Sequence, residues 1–255
     1  MSIAIITGAS SGIGKELVKQ LSLYVDSVDE IWAIARREEL LLELKKETDI
    51  PVRAIPLDLT DLKSLDVLDS LLKTEEKDVS VLVNCAGYGK FGNYGDIKNC
   101  EAMGMIDLNC RALVGITNIT LPFMKSGAKI LQICSLSAFQ PLPLMAVYAA
   151  SKVFVLNYSR ALYTELKPRG ITVTTLCPGW VDTPFFATAT DTDNPKAVTK
   201  YTFMQTPQRV VKQGYKAMKK GRMLSIVGKQ NKILYVLDKI LPVKMVMNTW
   251  LKTQK

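Results

Sequence analysis

Tyr148 and Lys152 stand four positions apart in the run Tyr148-Ala149-Ala150-Ser151-Lys152, and Ser135 lies thirteen positions before the tyrosine. On a helix, positions i and i+4 share one face. An ammonium placed there sits beside a phenol and favours its ionised form. A group with an ordinary pKa of about 10 then becomes usable as an acid or base nearer neutrality. Alone, such a pair is a common solvated helix contact, and its weight comes from what surrounds it. The chain has no histidine. Serine–histidine and cysteine–histidine nucleophile systems are therefore excluded, and acid–base work falls to Tyr, Lys, Asp, Glu or Cys. The five cysteines (85, 100, 110, 134 and 177) contain no CxxC pair, so no metal site is expected. Their odd number and wide spread suit reduced thiols in a cytoplasm better than a disulfide framework.

A second group of residues is suited to binding phosphate. The first apolar run ends in Thr7-Gly8-Ala9-Ser10-Ser11-Gly12-Ile13-Gly14 and leads into a helical pattern. Glycines let the backbone turn tightly and approach a pyrophosphate. The helix N-terminus beyond them offers free N–H groups and positive potential.

These groups must be positioned by the elements between them. Short β-rich runs alternate with longer amphipathic segments along the chain. The pattern predicts strands at Ser2–Thr7, Glu30–Ala35, Val52–Leu57, Val79–Asn84, Ala128–Cys134, Ile171–Cys177 and Met223–Val227. It predicts helices at Gly12–Tyr24, Glu38–Thr48, Leu62–Thr74, Cys100–Met124, Val147–Leu166 and Pro207–Lys219, the last capped by Thr206. Such alternation implies an α/β fold: one doubly wound domain of seven parallel strands with helices on both faces. A length of 255 residues suits a single domain. Asp182 to Gln205 is a long connection of the kind that usually carries function. From Gly228 onward, Leu234, Leu237 and Leu241 recur at helical spacing, as do Val243, Met247, Trp250 and Leu251, with Pro242 breaking the run.

With these residues in view, the chain resembles the short-chain dehydrogenase/reductase family from residue 1 to about 228. The match comprises the glycine turn, Asn84-Cys85-Ala86-Gly87, Asn109, the Ser135–Tyr148–Lys152 set and Pro178-Gly179-Trp180-Val181-Asp182-Thr183. Cys85 stands where the family often has a second Asn. The division is then a Rossmann-type domain at 1–228 with a basic extension at 229–255 belonging to the same domain.

The resemblance implies hydride transfer between a nicotinamide and a carbon bearing a hydroxyl or carbonyl. Tyr148 would be the general acid or base, and Lys152 would lower its pKa and hold the ribose. Ser135, favoured over Ser137 by its spacing, would hydrogen-bond the substrate oxygen, and Asn109 would hold a relay water. Cofactor contacts are expected at Gly8, Ser10, Ser11, Gly12, Ile13, Gly14, Asp58, Leu59, Asn84, Ala86, Gly87, Tyr148, Lys152, Pro178, Gly179, Val181 and Thr183. The second strand ends Ala35-Arg36-Arg37, without the acid a ribose-selective site would carry there. An arginine can bind a 2′-phosphate bidentately. NADP(H) is therefore the expected cofactor, with Arg36 the first choice and Arg37 the second. Arg37 could instead pair with Glu38 or Glu39.

Phe91, Phe139, Leu142, Leu144, Met145, Trp180, Phe185, Phe186 and Met204 lie in segments that border the catalytic serine and tyrosine in this fold. About half are expected to be core. Met145, Trp180 and Phe185, with Ser135 and Tyr148, are the expected substrate contacts. The expected substrate is a lipophilic secondary alcohol or ketone, with a hydroxysteroid as one candidate. A 3-oxoacyl or broad-specificity carbonyl reductase is an alternative, as is a non-catalytic NADP(H)-binding sensor or scaffold. The intact catalytic set argues against the sensor or scaffold.

The formal net charge of +9 is unevenly spread: residues 196–255 carry 14 Lys/Arg and one acid, Asp238. No nucleic-acid-binding motif is present. No apolar run reaches the roughly 18 residues of a membrane span, and the N-terminus lacks the pattern of a signal peptide. A cytoplasmic homodimer or homotetramer is expected. The C-terminal stripe must cover the cleft, dock on a second subunit or lie on a membrane surface. Packing against the protein itself is favoured over membrane contact.

Overall fold

Seven parallel strands form one sheet in the order β3-β2-β1-β4-β5-β6-β7 in the computed structural model, which describes residues 1–26 and 28–254. The strands are β1 (Ser2–Thr7), β2 (Glu30–Ala35), β3 (Val52–Pro56), β4 (Asp78–Asn84), β5 (Lys129–Ile133), β6 (Thr172–Cys177) and β7 (Leu224–Ile226). Near-continuous apolar runs suit strands buried on both faces. Successive side chains of β1 serve opposite layers. Ala4 and Ile6 pack with Leu17 and Val18 of α1 (Gly12–Gln20), Leu41 of α2 (Glu38–Glu43) and Tyr215 of α8 (Pro207–Lys219). Ile3 and Ile5 pack with Leu68 of α3 (Leu62–Glu75), Ile116 of α5 (Leu113–Thr120) and Leu162 of α6 (Ala146–Glu165).

The strand order runs one way from β1 to β3 and the other way from β1 through β4. A crevice opens at the carboxyl ends of β1 and β4, where open α/β sheets bind ligands. Thr7 ties that switch point together: its hydroxyl accepts from the N–H groups of Cys85 and Ala86, both at 3.0 Å.

The helix expected over 100–124 is divided. α4 (Asn99–Ile106) runs into a π-helical stretch, Asp107–Ala112, before α5 begins. The widened turn carries Asn109, whose side chain makes three hydrogen bonds outside the helix. Helix α1 ends at Gln20, and a 3₁₀ turn at Leu21–Leu23 completes the span expected to Tyr24. Thr206 caps α8 as read, accepting from the N–H of Arg209 at 3.4 Å.

The 182–205 connection holds a short helix, α7 (Phe185–Ala189). Its ends are pinned by a bridge between Val181 and Gln205. Pro242 separates α9 (Lys229–Ile240) from α10 (Val243–Gln254). Among the described residues, no helix is long and apolar enough to cross a membrane.

Candidate active site

One cleft of about 1310 Å³ runs over the carboxyl ends of the strands and reaches α9 and α10. Its inner wall begins at the glycine turn. Gly8 and Gly12 have φ of 68° and 53°, the left-handed region that favours glycine. A Cβ on Gly14 would collide with the carbonyl oxygen of Gly8. Ser11 precedes α1 without capping it through its side chain. The N–H groups of the first turn are thus left for a ligand, which is what a pyrophosphate requires.

The wall continues with Arg36, Arg37, Asp58 and Leu59. Arg37 donates to the hydroxyl of Ser10 at 3.2 Å. No ion pair between Arg37 and Glu38 or Glu39 occurs among the described residues; the guanidinium is directed to the glycine turn instead. Arg36 lies 4.0 Å from the Asp58 carboxylate and is mostly exposed. Burial works against the charge on Asp58. Hydrogen bonds from the Thr60 hydroxyl and N–H, with Arg36 nearby, outweigh it and hold the carboxyl below its ordinary value. Lys15 does not join this group; it pairs with Glu47 at 2.7 Å.

Ser135 follows β5 and opens a 3₁₀ turn at Leu136–Phe139, its hydroxyl accepting from the N–H of Ser137 at 3.2 Å. Tyr148 and Lys152 sit on the first two turns of α6 and are buried. The Lys152 ammonium donates to the carbonyl of Ile133 at 3.1 Å and lies 5.7 Å from the Tyr148 ring centre. Ser135, Tyr148 and Lys152 line the same cleft as the glycine turn. So do Ala86, Gly87, Pro178, Gly179, Val181 and Thr183.

Two expected residues stand behind the wall. Asn84 is buried at the end of β4 and donates to the Thr117 hydroxyl at 3.0 Å. Asn109 accepts from the N–H of Tyr88 at 3.0 Å and donates to the Tyr88 carbonyl and the Ser151 hydroxyl, both at 2.9 Å. Its side-chain oxygen and the Lys152 ammonium border the same empty side of Gly87. Asn109 therefore braces the turn beside Lys152 without reaching the cleft.

Leu142, Met145, Trp180, Phe185 and Phe186 form the apolar wall. Phe91 packs behind them against Trp180 and Phe185. Phe139 packs on Tyr235 of α9, and Met204 is exposed. The other side comes from the C-terminal helices, through Leu234, Leu237, Asp238, Leu241, Val246 and Trp250. Trp250 stacks on Trp180 at 6.3 Å and donates to the carbonyl of Pro143 at 2.8 Å. The inner stripe was legible as helical spacing. Asp238, Gln140 and Thr249 gave no periodic signal, because polar residues at a cleft mouth follow no apolar pattern. Among the described residues, no cluster of His, Cys, Asp or Glu could hold a metal ion.

Known proteins are similar to this chain in sequence and in fold. An uncharacterized oxidoreductase of Staphylococcus epidermidis is 31% identical over 184 residues, covering 71% of this chain and 79% of that one. Sulfoacetaldehyde reductase 2 of Chromohalobacter salexigens is 32% identical over 197 residues, 75% of this chain and 77% of its own. Among solved structures, a short-chain dehydrogenase from Sphingobium yanoikuyae in complex with NADPH superposes with a TM-score of 0.76 at 24% identity, over 94% of each chain. A 7beta-hydroxysteroid dehydrogenase reaches a TM-score of 0.80 at 18% identity, over 98% of this chain and 96% of that one. Likeness at those identities speaks for the fold alone. The family model described as short chain dehydrogenase matches residues 2–194, from the glycine turn through Tyr148, Lys152 and the Pro178–Thr183 segment. With that match over most of its length, the chain belongs to the short-chain dehydrogenase family of oxidoreductases.

Proposed function

We propose that this oxidoreductase interconverts a secondary alcohol and a ketone on a lipophilic substrate, with NADP(H) as its cofactor. The reading rests on one observation: Ser135, Tyr148 and Lys152 border the same cleft as the uncapped glycine turn and Arg36–Arg37. Ser10, Arg36 and Arg37 would hold the 2′-phosphate, the first turn of α1 the pyrophosphate, and Lys152 the ribose. When bound, the nicotinamide supplies or accepts the hydride. In reduction, Tyr148 gives its proton to the carbonyl oxygen; in oxidation it takes the hydroxyl proton back. The Lys152 ammonium stands 5.7 Å from the Tyr148 ring centre, and the Ser135 hydroxyl donates to the oxygen as charge develops on it. Met145, Trp180 and Phe185 exclude water and seat the apolar body of the substrate.

The size of the cleft and its apolar wall favour a bulky substrate, a hydroxysteroid among the candidates. NADPH in the Sphingobium structure supports the cofactor assignment. The free thiols, with Cys110, Cys134 and Cys177 buried, support a cytoplasmic setting. The test follows nicotinamide absorbance with purified protein, NADP⁺ or NAD⁺, and a panel of steroid, acyl and sugar alcohols. Turnover confined to polar sugar alcohols, or equal efficiency with both cofactors, would overturn the corresponding part of the proposal.

A further inference from the structure

Helix α9 has two apolar faces rather than one. The inner face carries Leu234, Asp238 and Leu241 to the cleft. A neighbouring face, about a third of a turn round the helix, carries Ile233, Val236, Leu237 and Ile240, at the spacing i, i+3, i+4, i+7, and all four are exposed. Ile240 is 70% exposed and Ile233 61%. Val243 and Met245, just past Pro242, prolong the bare surface at 58% and 49% exposure. Leu237 belongs to both surfaces, because it also lines the cleft. The outer stripe therefore reaches the cleft mouth.

Cations frame this stripe. Lys229 lies within it, and Lys232 and Lys239 flank it. Lys232 also borders a shallow hollow of about 190 Å³ together with Lys216, Lys220 and Arg222. No acid lines that hollow, and Asp238, the one acid of residues 196–255, is turned to the cleft. A second copy docked face to face on this stripe would set these lysines against their own counterparts, with no carboxylate to neutralise them. An anionic bilayer supplies both an apolar layer and negative headgroups.

We infer that the outer face of α9 and the start of α10 form a docking surface for an anionic lipid bilayer, which opens the cleft mouth toward the membrane. Ile233, Val236, Ile240 and Val243 enter the headgroup–acyl boundary, and Lys216, Lys220, Arg222 and Lys232 hold the lipid phosphates. A lipophilic substrate can then reach the cleft past Leu237 without crossing water.

The test is sedimentation of the full-length protein with vesicles of phosphatidylcholine alone or with added phosphatidylglycerol. Its readout is independent of any catalytic activity. The protein should pellet with the anionic vesicles only, and less as salt rises. Ile233→Glu/Ile240→Glu should weaken partitioning about 100-fold, at about tenfold per lost isoleucine. Lys216→Gln/Lys220→Gln/Lys232→Gln should weaken it by a similar factor, about 1 kcal/mol per lysine. The lysine variant alters only exposed side-chain ends, so it carries the test should the glutamate variant misfold. Failure to pellet, or pelleting that both variants leave unchanged, would overturn the inference. So would a fall in solution mass in Ile233→Glu/Ile240→Glu, because a second copy would then be the occupant.

Discussion

Tyr148 is the residue on which the proposed chemistry turns. Its hydroxyl has no other assigned task in the fold, and its ring packs on Phe185 at 5.6 Å. Replacing it with Phe keeps that packing and removes only the proton. Tyr148→Phe should therefore lower kcat by about 10²–10⁴-fold, while NADPH binding followed by fluorescence stays within a factor of about two. Near-normal turnover would remove Tyr148 from the mechanism. The arginines make a second prediction. Arg37 is held toward the glycine turn by Ser10, whereas Arg36 is opposed by Asp58 and is mostly exposed. A charge-assisted contact is worth about 1.5–3 kcal/mol. Arg36→Ala and Arg37→Ala should each reduce the preference for NADP(H) over NAD(H) by roughly 10–100-fold. A preference unchanged in both variants would assign the 2′-phosphate elsewhere.

Two elements store polar groups whose removal can be read separately. The π-helical turn places Asn109 where it satisfies the Tyr88 N–H and carbonyl and the Ser151 hydroxyl. Asn109→Ala leaves the partly buried Tyr88 N–H and carbonyl without this partner, while the Ser151 hydroxyl keeps its bond to the Tyr148 carbonyl at 2.7 Å, a loss of about 1–3 kcal/mol. The melting temperature should fall by about 2–10 °C, and an unchanged melt would mean the turn is not braced this way. On α9, one carboxylate oxygen of Asp238 is buried without a hydrogen-bond partner among the described residues. Burial raises its pKa from the ordinary 3.8 to about 6. The folded state then binds more protons than the unfolded one between those values, so stability falls as pH rises through that window. Asp238→Asn removes this loss. It should stabilise the protein at pH 7 by about 1–2 kcal/mol, after discounting for the solvent that reaches the half-buried group. The gain should vanish near pH 4, and thermal melts at the two pH values decide the matter.

For the molecule as a whole, the open question is which surfaces meet other molecules. Besides the α9 stripe, a second bare apolar face lies across α4 and α6. Met103, Ile106, Val153 and Phe154 are exposed there, and Phe154 stacks on Tyr158 at 6.0 Å. That face carries none of the lysine excess of the C-terminal segment, which suits pairing with a second copy. If the chain self-associates through this face, Phe154→Glu should lower the mass measured by light scattering toward that of the monomer, without affecting vesicle binding. A mass that stays unchanged would exclude this face as the subunit contact.

Local physics made most of the fold and the candidate reacting groups legible in the chain itself. Buried parallel strands need unbroken apolar runs, so β1, β2 and β6 could be read almost to the residue. The glycine turn could be read as well, because left-handed backbone such as that at Gly8 and Gly12 favours glycine. Helical spacing puts Tyr148 and Lys152 on one face, and the glycine turn and Ser135 give that pair its weight. The tertiary structure decided what depends on neighbours distant in the chain. The break at Asn109 arises from bonds to Tyr88 and Ser151, 21 and 42 residues away. The split of the apolar candidates into the cleft wall of Met145, Trp180 and Phe185 and the supporting Phe91 depends on how α7 packs on the segment after β4, where the Phe91 N–H donates to the Ala189 carbonyl at 2.8 Å. The division of α9 into an inner face on the cleft and an outer face in solvent was beyond the sequence for the same reason. Apolar spacing marks a stripe, but only packing determines which stripe is covered.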